Sequence, residues 1–110
     1  MKTNMKFELT SETKIVNGRT LHRIRALVSF GLIHKGDIGG WVEKESNLSQ
    51  NDNAWVYDNA WVCDNARVCD NAWVYDNARV YDDARVYDDA RVRGNVRVRG
   101  NARVRGNAEV

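Results

Sequence analysis

From Asp52 to Val110 the chain repeats every six residues: DNAWVY, DNAWVC, DNARVC, DNAWVY, DNARVY, DDARVY, DDARVR, GNVRVR, GNARVR, GNAEV. Asp or Gly opens each unit, Asn or Asp follows, Ala stands third in all but one, and Val is always fifth. A short fixed period marks stacked units and constrains the fold more than any other feature of this sequence. In Asp70–Tyr75, Ala72 and Val74 alternate with Trp73 and Tyr75, the pattern of a short strand with one apolar face. Asp70-Asn71 is turn chemistry, since Asn tolerates the left-handed region and the Gly of later units does so at lower cost. Each unit is therefore predicted to be a short strand and a corner. Alone it buries almost nothing, so it must stack on copies of itself.

The order Val-x-Asp-Asn-Ala-x, sustained over these consecutive units, resembles the hexapeptide repeat of left-handed parallel β-helices. In that family an aliphatic residue and a small residue four places later point inward, and three hexads close one triangular coil. The resemblance implies an all-β fold, a left-handed parallel β-helix of hexapeptide repeats with a small N-terminal antiparallel β-hairpin cap. An eighteen-residue coil would stack Val56, Val74, Val92 and Val110 in one internal ladder. Val62, Val80 and Val98 would form a second, and Val68, Val86 and Val104 a third. Ala54, Ala72, Ala90 and Ala108 would line a narrow corner where only small side chains fit, and Val96 is the one oversized corner residue of the repeat. With strands ~4.8 Å apart, the hexads build a prism only roughly 16 Å tall, whose exposed edges need covering.

The preceding third supplies a candidate cover. Phe7–Thr10 reads as a first strand, and Lys14-Ile15-Val16 runs into Asn17-Gly18, a strong hairpin signal. From Thr20 to Phe30 the pattern alternates, with Ile24, Ala26, Val28 and Phe30 opposite Arg23 and Arg25. Gly31 to Gly40 is turn-rich, and Asn47-Leu48 is assigned to the Asn-Ala slot of an irregular opening hexad. This divides the chain into a cap, residues 1–36, and a β-helix, residues 37–110. The segment ETKIVNGRTLHRIRALVSFG…HKGDIGGWVEKESNLSQNDNAWV is similar to the opening of hexapeptide-repeat proteins of bacteriophages and prophages. That resemblance implies a phage context and no established chemistry.

With 110 residues there is room for one domain and a cap, and oligomerisation, as dimer or trimer, would supplement a core of Val and Ala. The first residues show no apolar run after their basic positions, and the longest apolar stretch, around Ala26 to Ile33, is too short and interrupted to span a bilayer. The expectation is a cytoplasmic protein of the host bacterium without membrane association. Cys63 and Cys69 occupy the same outward slot of consecutive hexads and so different faces, beyond the ~7 Å reach of a disulfide.

Hexapeptide acyltransferases use a catalytic His, but the repeats from Asp52 onward contain none; His22 and His34 both lie earlier. The chain is expected not to be an enzyme, with no catalytic residue, metal or cofactor. The aspartates at the corners, Asp52 through Asp88, are expected to accept hydrogen bonds from turn amides or to pair with Arg, since stacked carboxylates repel.

The outward fourth and sixth slots carry the binding prediction. Trp55 under Trp73 and Tyr57 under Tyr75 form an aromatic block, with Trp61 on a second face; exposed contiguous aromatics mark interfaces. Arg91, Arg93, Arg97, Arg99, Arg103 and Arg105 form a basic collar near the far end, suited to phosphate or an acidic protein surface. The collar is too compact for a general nucleic-acid binder. The reading is a non-enzymatic, phage-encoded interaction protein that occludes a host protein, such as a host-defence or anti-CRISPR-like inhibitor. Two alternatives stand beside it: an oligomeric sponge for a nucleotide signal, and a hexapeptide acyltransferase-like enzyme. The partner is a host protein or a sister subunit.

Overall fold

A computed structural model describes residues 5–110. Strand β1 (Phe7–Val16) pairs antiparallel with β2 (Arg19–Ala26) through the Asn17-Gly18 turn, and both turn residues take positive φ. Phe7–Thr10 and Lys14–Val16, expected as separate pieces, belong to one strand whose register slips between Leu9 and Thr13. Strand β2 stops at Ala26, short of the expected Phe30, and Val28 is exposed. The turn-rich stretch contains a further strand, β3 (Ile38–Val42), which pairs antiparallel with β2 on one side and parallel with the coils on the other. Cap and solenoid therefore share one sheet.

Nine two-residue strands follow, one per hexad: β4 (Trp55–Val56), β5 (Trp61–Val62), β6 (Arg67–Val68), β7 (Trp73–Val74), β8 (Arg79–Val80), β9 (Arg85–Val86), β10 (Arg91–Val92), β11 (Arg97–Val98) and β12 (Arg103–Val104). They stack parallel in three sheets, β4-β7-β10, β6-β9-β12 and β1-β2-β3-β5-β8-β11. Each residue pairs with the one eighteen later, Val56 with Val74 and Val74 with Val92, as a three-sided coil requires. In the three valine ladders the residues from Val56 to Val98 are buried and Val104 is half-buried, and the alanines from Ala54 to Ala90 are buried. Val110 departs from its expected place: its backbone pairs with Arg91 and Arg93, but its side chain is 42% exposed, because no described residue packs over the last coil. Val96 is accommodated half-buried against the core.

The corners explain the repeat. Asp58, Asp64, Asp70, Asp76, Asp82 and Asp88 have φ of 57 to 62, so the left-handed residue is the first of each unit and not the Asn that follows it. A short carboxylate tolerates that conformation. It also serves the stack, since Asp70 Oδ2 accepts the Asp88 N–H at 3.0 Å, and Asp76 Oδ2 the Gly94 N–H at 3.0 Å. Asn side chains form a parallel ladder, Asn53 Nδ2 to Asn71 Oδ1 and Asn71 Nδ2 to Asp89 Oδ1.

The first coil is irregular in a definite way. Trp41 pairs with Trp61 and Leu48 with Val68, twenty residues apart instead of eighteen. Leu48 thus fills a Val slot, and Asn47, fully buried at the end of a 3-10 turn (Glu45–Asn47), sets its side chain against the coil above instead of taking the Asn-Ala slot expected. The two additional residues fall between Leu48 and Ala54, a stretch that contains Gln50. Its Oε1 accepts the N–H groups of Lys6 (2.7 Å) and Phe7 (3.1 Å), tying the start of β1 to the coil.

Candidate functional site: an aromatic groove and three arginine columns

The outward aromatics divide into covered and open sets. Trp55 is buried (1% exposed), with Phe30 and Phe7 edge-on to it at 5.4 and 6.3 Å between centroids. Trp61 is also buried, in a cluster with Leu21, Trp41 and Cys63, and Arg79 lies 5.5 Å over its ring. Both belong to the cover that the cap makes over the first coil, so neither is a surface contact. Cys63 is likewise buried rather than the surface residue its slot suggests; both cysteines are free.

Tyr57, Trp73 and Tyr75 remain half-buried on the β4-β7-β10 face. Tyr57 packs edge-on against Trp73 at 5.8 Å and against Tyr75 at 6.4 Å, the geometry that ring quadrupoles favour. The Arg91 guanidinium covers Trp73 from the next coil, 4.6 Å from the ring centroid. Burial pushes the Tyr57 phenol up to about 12, so it stays a neutral donor and acceptor. The loop after β2 runs alongside and presents Leu32, 75% exposed, across from Trp73. Between them lies a cleft of about 490 Å³ lined by Leu32, Tyr57, Trp73 and Arg91. Asn53, Asn71 and Asp89 give it a polar edge. A second hollow of about 350 Å³ continues over Tyr75. Leu32 was not singled out from the sequence; an isolated Leu in a turn-rich loop carries no signal there.

The basic collar is a ring, not a patch. Arg91, Arg97 and Arg103 head three different sheets, and Arg93, Arg99 and Arg105 follow them; all six are exposed. The structure brings only Arg91 to the aromatic groove.

Three polar residues invisible to the periodicity close the bottom of the stack. Lys6 Nζ donates to the carbonyls of Asp52 (3.0 Å) and Ala54 (2.6 Å). Asn47 Nδ2 donates to those of Asp64 (3.1 Å) and Ala66 (2.9 Å). In the regular coils such carbonyls accept backbone N–H groups from the coil beneath, as Ala72 and Asp76 do from Trp55 and Asn59. Glu43 Oε1 accepts the Asp64 N–H at 2.7 Å, the role that Asp plays one coil lower elsewhere, and Arg19 pairs with Glu43 and Asp64.

His22 sits in β2 between Thr13 and Val42, and His34 is exposed on the loop. Asp52, Asp58, Asp70, Asp76, Asp82 and Asp88 each accept an amide N–H of the next coil rather than aiming at a shared point, and Asp64 pairs with Arg19.

Residues 60–76, 66–81 and 84–100 match the model of the YdcK Beta solenoid repeat. No curated protein matches the chain. The matched segments lie wholly within the hexads whose strands stack in register, β5 to β11. By its coils and by that match, the chain is a parallel β-solenoid repeat protein, similar over those segments to the YdcK repeat.

Proposed function

We propose that this chain is a non-catalytic binding protein whose working surface is the groove formed by Leu32, Tyr57, Trp73 and Tyr75, rimmed by Arg91. The observation that carries the reading is the cleft itself: a 75%-exposed Leu32 faces half-buried aromatics across about 490 Å³. Aromatic rings fixed by packing with an adjoining arginine have the composition of binding hot spots. The groove suits a protein segment that inserts an apolar side chain between Leu32 and Trp73 and sets a carboxylate near Arg91. The resemblance to phage hexapeptide-repeat proteins supports a host protein as owner of that segment, and occlusion of that protein, as in inhibition of a host defence, as the result. The positions of His22 and His34, one in a ladder and one on a loop, support a binding role over acyl transfer.

The test compares the chain with a Leu32→Asp, Trp73→Ala double variant in capture from host lysate and in light scattering. Loss of a captured host protein with unchanged mass supports the reading. A change of the chain's own mass assigns the groove to a sister subunit instead. Identical capture by both proteins overturns it.

A further inference from the structure

The third face, β6-β9-β12, differs from the other two in how its arginines are answered. Arg67, Arg85 and Arg103 are exposed and stand in register, Arg67 on Arg85 and Arg85 on Arg103. In-register parallel neighbours lie about 4.8 Å apart, and like charges placed so closely repel. On the other two faces the arginine that follows a tryptophan in this slot meets its ring, Arg79 over Trp61 and Arg91 over Trp73, while Arg97, stacked on Arg79, meets none. The third face has no aromatic residue in the slot, and among the described residues no carboxylate forms an ion pair with Arg67, Arg85 or Arg103.

The column borders a polar cleft of about 350 Å³ that also includes Lys44, Asn65 and Asp83. Lys44 adds a fourth cation, with Nζ 3.5 Å from Asn65 Oδ1. The single carboxylate there, Asp83, accepts from Asn65 Nδ2 at 3.3 Å, so it is engaged within the Asn ladder. Three guanidiniums in a row extend over two strand spacings, about 10 Å. A single small anion cannot answer all three, whereas an anion with charges in line can. Guanidinium forks match phosphate oxygens in bidentate geometry better than they match a point charge.

We propose that the Arg67–Arg85–Arg103 column, with Lys44 beside it, is a binding site for a short linear oligophosphate, either a free polyphosphate or the phosphate tail of a nucleotide. It lies on a different face from the aromatic groove, so either site can fail without the other.

Calorimetric titration of the whole chain with tripolyphosphate at low salt tests it. Saturable binding at one site is expected, with orthophosphate markedly weaker. Arg85→Gln should weaken the tripolyphosphate affinity at least about tenfold, because charge-assisted hydrogen bonds are lost. Lys35→Gln, on the exposed connecting loop, should leave it unchanged. Arg85 is outside the core, and an unaltered far-UV spectrum verifies the fold. A nucleoside triphosphate that binds more tightly than tripolyphosphate identifies the nucleotide as the source, and equal binding identifies the phosphate chain alone. The proposal is overturned by absence of saturable binding, by an Arg85→Gln variant that binds as well as the parent, or by tetraglutamate binding as tightly as tripolyphosphate.

Discussion

Lys6 Nζ lies 2.6 Å from the Ala54 carbonyl and 3.0 Å from that of Asp52, on the underside of the first coil. One ammonium group thereby stands where a strand beneath β4 would place its N–H groups. A solenoid must end somewhere, and its first coil exposes a row of carbonyls that cannot be left buried and unpaired. Here side chains complete the row.

Lys6→Met keeps the length of the side chain and removes the donors. It should lower stability by about 1–3 kcal/mol, the cost of orphaned buried carbonyls. Burial pushes the Lys6 ammonium down to about 8 from 10.5, with the Asp52 carboxylate opposing. Between those values the unfolded chain holds more protons than the folded one, so this group's contribution to stability rises with pH. The gap between parent and Lys6→Met in urea denaturation should therefore widen from about pH 7 to about pH 9.5. A gap that narrows over this range would show that Lys6 gains more from its charge than burial costs it.

Asn47 performs the same service on the next face with all of its amide. Oδ1 accepts the N–H groups of Glu43 and Lys44 at 3.1 and 2.9 Å, while Nδ2 donates to Asp64 and Ala66. Asn47→Asp keeps the shape but turns both donors into a charge facing two carbonyls. It should cost at least about 3 kcal/mol, more than Asn47→Ala, because a buried unpaired charge is worse than an unmade bond. Thermal unfolding followed by circular dichroism ranks the two, and the reverse order would contradict the donor role.

The contrast between Val56 and Lys6 separates what the sequence displays from what it conceals. Val56, Val74 and Val92 repeat every eighteen positions, so their ladder can be read before any coordinates exist. Lys6 and Asn47 replace missing backbone N–H groups and Glu43 a missing corner carboxylate, so each occurs once and leaves no period to detect. The open and covered aromatics show the same limit. Trp55 and Trp73 occupy equivalent slots of the repeat, yet only Trp55 has Phe7 and Phe30 packed on it. Alternation tells which side of a strand a ring is on, but not whether a distant segment folds over that side. The arginine column of the third face follows from the repeat once the register is fixed, whereas its lack of ion pairs does not.

Gly39 and Gly40 press against the underside of the first coil. A Cβ on Gly40 would meet the Ala60 carbonyl at 2.5 Å and Val56 Cγ1 at 2.7 Å. Gly40→Ala should cost about 1–3 kcal/mol through overpacking. Gly94 presents the opposite case, with open space around it but φ of +66. Gly94→Ala should cost about 1 kcal/mol for the left-handed conformation alone. Gly94→Asp should cost less than Gly94→Ala, because Asp76 holds a φ of 61 one coil below. Denaturant midpoints of the three variants test both statements, and a benign Gly40→Ala would mean that β3 is not seated against the coil.

Cys63 tests the cap from another direction, through its ionisation. The thiol is buried beside Leu21, Trp41 and Trp61, and burial pushes it up to about 11 from 9.0, with Arg19 opposing. Between those values the unfolded chain has lost the proton and the folded chain retains it. Stability should therefore fall as pH rises from about 9 toward about 11. Tyr57, pushed up to about 12 from 10.0, acts in the same sense at higher pH, so Cys63→Ser is needed to isolate the thiol. The variant should lose stability less steeply over that interval, as read from urea midpoints at successive pH values. Cys69, half-buried on the open third face, should react with a maleimide at about pH 8 well before Cys63 does. Equal labelling rates would mean that the hairpin lifts readily from the coil, and the buried assignments of Trp55 and Trp61 would have to be abandoned with it.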